Sequence, residues 1–144
     1  MLGARILVEV IDALADGRAH AASQDESAVT YASRLEKDEG LIDWALPAET
    51  IHNRVRGLQP WPMAWTYLHG RRLVVVQTRR VSEPASNAAS PGTILAVLGD
   101  ALRVSTGNGL IDILSLQPEG RRVMTVRDFA AGSRVSTGMS LSAS

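Results

Sequence analysis

The run GTILAVLGDALRVSTGNGLIDILSL, residues 92–116, decides how the chain folds. Three short stretches rich in aliphatic and β-branched residues, 92–98, 102–106 and 110–116, are broken by Gly99-Asp100 and Asn108-Gly109. Asn-Gly between two such stretches is the strongest short hairpin cue in a sequence, because both residues tolerate the positive φ that a tight turn demands. Upstream, residues 64–68 and 72–81 flank His69-Gly70-Arg71, a second hairpin signal, and residues 82–90 form a Ser/Ala/Pro/Asn loop. About five strands at this spacing predict a mainly β domain. It is read as a small OB-like β-barrel with flanking helices, preceded by an N-terminal helix and an extended linker.

The helices are legible at either side of the strands. In LGARILVEVIDALA, residues 2–15, Leu2, Ile6, Val10 and Leu14 recur every four positions, and Leu7 and Ile11 widen the stripe. Asp16-Gly17 ends it. Nothing before it in the sequence covers that stripe, so it is expected to dock on the downstream domain or to lack its partner. Residues 21–35 read as an extended linker and 36–40 as a turn. Pro47 opens a second helix with Ile51, Val55 and Leu58 on its apolar face, and Gly57 and Pro60 mark its end. Thr125 and Asp128 cap a last short helix over 126–131, and the Ser/Gly/Thr-rich residues 133–144 read as a flexible tail.

The formal net charge of +0 hides an asymmetry. Residues 1–44 hold four basic and nine acidic residues, a balance of −5, whereas residues 45–144 hold eleven basic and six acidic, a balance of +5. Six of those basic residues fall in the pairs Arg71-Arg72, Arg79-Arg80 and Arg121-Arg122. Adjacent residues of a strand point to opposite faces, so one of each pair should face outward. Such charge serves as a solvated surface or as a phosphate-binding surface.

Catalytic motifs are missing. There is no cysteine, which excludes disulfides and thiolate chemistry. His20, His52 and His69 are 32 and 17 residues apart, without metal-ligand spacing. No Gly-x-Ser-x-Gly elbow occurs, and Gly107-Asn108-Gly109 lacks the ending of a phosphate loop. Trp61 and Trp65, four residues apart, fit either base stacking or packing between helix and barrel; their proline neighbours favour packing, and Trp44 reads as a linker anchor. The apolar runs are too short to span a bilayer and no leader pattern opens the chain, so it is expected to be soluble and cytoplasmic, with no membrane partner.

Several motifs in fixed order carry a resemblance. They are Gln24-Asp25-Glu26-Ser27, Thr30-Tyr31-Ala32, Ile42-Asp43-Trp44 and IHNRVRGLQPWP at residues 51–62. Pro91-Gly92-Thr93, Thr106-Gly107-Asn108-Gly109, residues 116–120, Met124 and Asp128-Phe129 come after them. Over roughly residues 2–132 the chain resembles methionyl-tRNA formyltransferase, from its interdomain linker to near its end. It departs from that pattern at Met63, where the family usually has Gly, and at Ser33-Arg34, where Pro-Lys is common.

The resemblance implies formyl transfer from 10-formyltetrahydrofolate to the α-amino group of methionyl initiator tRNA. It places the folate site and catalytic residues in a Rossmann-like domain upstream, so this chain is expected to hold no catalytic residue, metal or cofactor and to be inactive alone. Residues 1–17 would then be the last helix of the catalytic domain, 18–44 the linker, 45–132 the barrel and 133–144 the tail. The missing domain would dock on Leu2, Ile6, Val10 and Leu14. The resemblance also turns the basic residues into candidate tRNA contacts: Arg34, Lys37, Arg54, Arg56, Arg71, Arg72, Arg121 and Arg122. Two other readings stay open: the structural C-terminal domain of a related small-molecule folate-dependent formyltransferase or hydrolase, and a non-functional fragment.

Overall fold

In the computed structural model, residues 2–82 and 89–143 are described. They fall into two compact units, residues 1–33 and residues 34–144. Part of the loop expected over 82–90 lies outside the described residues.

The first unit holds helix α1 (Leu2–Ala15) and a single 3₁₀ turn, Glu26–Ala28, capped by the Asp25 carboxylate. Gly17, at φ 67°, provides the left-handed residue that ends α1. Arg5 and Glu9 pair one turn apart on its surface at 3.2 Å. None of its side chains is buried, and Leu2, Leu7 and Leu14 are each at least 60% exposed.

The second unit is a curled, nearly closed antiparallel sheet. Its strands are β1 (Ala64–Leu68), β2 (Arg71–Val81), β3 (Ile94–Val97), β4 (Leu102–Ser105), β5 (Leu110–Pro118), β6 (Met124–Thr125) and β7 (Leu141–Ser142). They run β3-β4-β5-β2-β1-β7, with β6 on β5. The two ends of that path approach each other: Ile94 N–H donates to Met139 O at 2.8 Å and Leu141 N–H to Gly92 O at 2.9 Å. The eleven-residue β2 bends around the barrel at an irregularity centred on Gln77, the usual effect of an extra residue on one strand. Val75, Ile94, Leu102, Val104, Ile111, Ile113 and Leu116 fill the interior. Helix α2 (Ala48–Gly57) lays Ile51 and Val55 on that core, and α3 (Val126–Gly132) adds Val126 and Phe129. The OB-like, mainly β reading of the sequence agrees with this arrangement.

Two segments differ from what composition suggested. Residues 34–44, read as linker, are built into the barrel unit: Leu41 bridges Trp65, and Ile42 and Trp44 are buried in the core. The Trp44 indole N–H donates to the Thr66 hydroxyl at 3.0 Å, and that hydroxyl donates to Ser142 O at 2.8 Å, so one buried relay joins this segment, β1 and β7. Residues 133–144, read as a flexible tail, contain β7, whose Leu141 is 3% exposed. A run of Ser and Gly conceals two apolar anchors, Met139 and Leu141, that join the core.

Met63, the departure from Gly noted in the sequence, lies at φ 68°. Met here takes a conformation that glycine adopts freely. Trp65 packs in the core at 8% exposure, but Trp61 is 53% exposed. The packing reading therefore holds for Trp65 and not for Trp61, which the turn between α2 and β1 leaves in solvent.

Candidate nucleic-acid interface

The sheet decides which arginines are free. Arg79 on β2, Asp112 on β5 and Arg103 on β4 stand directly opposite one another across three strands. Side chains at paired positions share a face, and the Asp112 carboxylate, 1% exposed, accepts from Arg103 Nε at 2.9 Å and Arg79 Nη2 at 2.9 Å. Burial pushes this carboxyl up, but the two guanidinium groups outweigh burial and hold it below its ordinary 3.8. Arg80 is occupied too, bonded to Glu49 of α2 at 2.7 Å. One of the three arginine pairs seen in the sequence is thus spent on holding the barrel together.

Asp112→Ala should cost about 3 kcal/mol, because it removes the buried carboxylate that joins Arg79 and Arg103 across three strands. Asp112→Asn, which keeps an acceptor, should cost less. The native carboxyl titrates lower than the unfolded one, so its contribution is present above pH 3.8 and is lost as the pH falls through the folded value. Chemical denaturation of Asp112→Asn against pH should therefore show a flatter acid limb below about pH 4 than the parent. Parallel limbs would refute the assignment.

The eight basic residues singled out in the sequence separate into groups. Arg71, Arg72 and Arg121 line one cleft of about 570 Å³, formed by the β1–β2 hairpin, the turn after β5, and α3 with the residues just after it. Arg134, which no sequence pattern singled out, lines it as well. Arg72 lies over the Trp65 ring at 4.5 Å, so it is also a packing element. Arg71, Arg121 and Arg134 are exposed and make no ion pair among the described residues. The facing acids are Glu119 and Asp128, and Asp128 accepts from the Thr125 hydroxyl at 2.8 Å.

Arg122 is exposed but does not line the cleft. Arg54 and Arg56 sit on α2. Arg54 donates to the Glu39 carbonyl, and Arg56 lines a shallower polar recess with His52, Gln59, Gln77 and Thr78. His52 Nδ1 is 2.9 Å from the Thr78 hydroxyl; burial, then Arg56 and Arg80, push its pKa down against Glu49. Arg34 and Lys37 are exposed, with Glu36, Asp38 and Glu39 beside them in sequence. Among the described residues no group of three or more His, Asp or Glu could hold a metal ion, and no helix is long and apolar enough to cross a membrane.

Comparison with known proteins accords with the motifs. The family described as formyl transferase, C-terminal domain, matches residues 34–134. The methionyl-tRNA formyltransferase of Heliobacterium modesticaldum is 39% identical over 143 residues, and that of Solibacter usitatus is 44% identical over 135. The alignments cover 95% and 94% of this chain but only 45% and 42% of those proteins, so the chain spans less than half their length. Among solved structures, a variant of HypX from Aquifex aeolicus superposes with a TM-score of 0.62 at 16% identity, over 88% of this chain and 22% of that one. HypX in complex with tetrahydrofolic acid gives 0.60 at 17%, over 85% and 22%. At that identity the likeness is one of fold.

Proposed function

The chain belongs to the formyl transferase C-terminal domain family, and from that premise we propose that it is the tRNA-binding part of a methionyl-tRNA formyltransferase. The observation that carries this reading is the convergence of Arg71, Arg72, Arg121 and Arg134 around one cleft, on a unit where Arg79, Arg80 and Arg103 are held in ion pairs. Initiator methionyl-tRNA is the partner. Duplex RNA presents phosphates and 2′-hydroxyls more readily than base edges, so the contact reads backbone and shape, and exposed guanidinium groups are suited to it.

In this reading the formyl group passes from 10-formyltetrahydrofolate to the methionyl amino group in a separate catalytic domain. The chain supplies no catalytic residue, binds no cofactor itself, and is inactive in transfer alone. Its role is to hold the tRNA body so that the aminoacyl end reaches that domain. The exposed face of Leu2, Ile6, Val10 and Leu14 offers such a domain a docking surface. A structural domain in a small-molecule formyltransferase or hydrolase draws support only from likeness in fold, and nothing in that reading calls for a cleft rimmed by arginines.

Direct titration tests the proposal. The purified chain should bind initiator methionyl-tRNA at low salt, bind elongator methionyl-tRNA within a few-fold of it, and show no formyl transfer. Absence of tRNA binding at low salt would favour the structural reading, and robust transfer by the chain alone would overturn the assignment of chemistry elsewhere.

A further inference from the structure

The cleft beside Arg71 and Arg121 differs in kind from the other recesses of the barrel unit. The recess at His52 is lined mostly by polar side chains, and the one at Arg54 sets a single arginine against two carboxylates, Asp38 and Asp43. This cleft has an apolar wall made by Leu73, Met124, Phe129, Val135 and Met139, beneath a rim of arginines. Its volume of about 570 Å³ lies within the roughly 300–1,000 Å³ range of pockets that bury a small ligand. A rim that only gathers phosphates needs no such wall, because a phosphate is fully polar. The combination suits a group with an anionic end and a flat apolar body.

Resting on the tRNA-binding reading, we propose that this cleft receives one unstacked nucleotide of the bound RNA. Its phosphate lies on Arg71 and Arg121, and its base lies against the thioethers of Met124 and Met139. Sulfur makes favourable contacts with aromatic rings, and unbranched methionine adapts to any of the bases. Base–side-chain contact of this kind is tolerant of sequence. Charge selects the occupant: four arginines against Glu119 and Asp128 leave the cleft net positive, which disfavours a cationic or neutral apolar guest. Arg122, next in sequence and also exposed, is not among the residues that line the cleft and supplies an internal control.

The methionine methyl groups report occupancy directly. Met124 and Met139 line the cleft, whereas Met63 lies in the turn before β1, outside it. With methyl-labelled protein, AMP should shift the Met124 and Met139 resonances saturably and leave Met63 unmoved. Adenosine should bind more weakly, and inorganic phosphate should leave the methyls in place. Arg71→Ala or Arg121→Ala should weaken AMP about tenfold, the loss of one charge-assisted hydrogen bond, and Arg122→Ala should not. Equal losses at Arg121 and Arg122, or no saturable shift, would overturn the proposal. Initiator tRNA should move the same two methyls. Bound tRNA that leaves both unmoved would overturn the nucleotide cleft while sparing the tRNA reading. AMP filling the cleft of a protein that binds no tRNA would instead overturn the tRNA reading, and with it the claim that the nucleotide belongs to RNA.

Discussion

Gly107→Ala is expected to destabilise the barrel by about 4 kcal/mol, a large share of the roughly 5–15 kcal/mol by which a folded domain is stable. A Cβ at this position would run into the backbone carbonyl of Ala45, not into a side chain that could turn aside. Gly107 N–H meanwhile donates to Trp44 O at 2.9 Å and Leu46 O at 3.2 Å, so parting the two strands of chain sacrifices those bonds as well. The neighbouring Ala48 N–H to Asn108 O bond, at 2.9 Å, would be strained by the same movement. Each buried donor left unmet costs about 1–3 kcal/mol, and overpacking adds about as much. Gly57→Ala at the end of α2, where nothing lies within 4 Å, is the matched control and should be neutral or stabilising by up to about 1 kcal/mol. Thermal melts decide the matter: a drop of about 15 °C is expected for Gly107→Ala, and a drop no larger than that of the control would refute the close approach.

That position also shows where sequence reading succeeds and where it stops. Thr106-Gly107-Asn108-Gly109 reads as a hairpin turn between β4 and β5, and it is one, because turn chemistry is local and residue types report it. The same turn serves as the dock for residues 44–48, which no local pattern announces. Residues 34–44 look like linker because, after Leu35, their apolar residues Leu41, Ile42 and Trp44 are too short a run to show any period. The two-residue strand β7 is hidden likewise among Ser and Gly. Asp112 left a faint trace, a lone acid inside the aliphatic run LIDIL, and its meaning depends on Arg79 and Arg103 arriving from the neighbouring strands. Pairing, not composition, determines which arginines are occupied. Arg134 escapes a reading by composition because its place at the cleft is set by the turn of chain after α3.

The largest functional effect is expected from Arg71→Ala combined with Arg121→Ala, which should weaken initiator tRNA binding about 10- to 100-fold at low salt. Each guanidinium that neutralises a phosphate releases counterions, so log affinity falls with log salt at a slope of about −0.7 to −0.9 per contact. Removing two contacts should make that slope shallower by about 1.4 to 1.8. Titrations of parent and variant across salt concentrations measure both quantities at once. Other substitutions from the same basic set should do less, each for a structural reason. Arg34 and Lys37 have Glu36, Asp38 and Glu39 around them, which cancels their local charge. Arg54 is committed to the Glu39 carbonyl. Arg72→Ala removes the guanidinium from the Trp65 ring, so its loss should be seen first in the melting temperature. Arg79→Ala should likewise destabilise the barrel while leaving the salt slope almost unchanged, since its guanidinium is already bound to Asp112. If Arg79→Ala flattened the slope as much as Arg71→Ala, the RNA would lie across the Asp112 face of the sheet and the cleft would not be the contact.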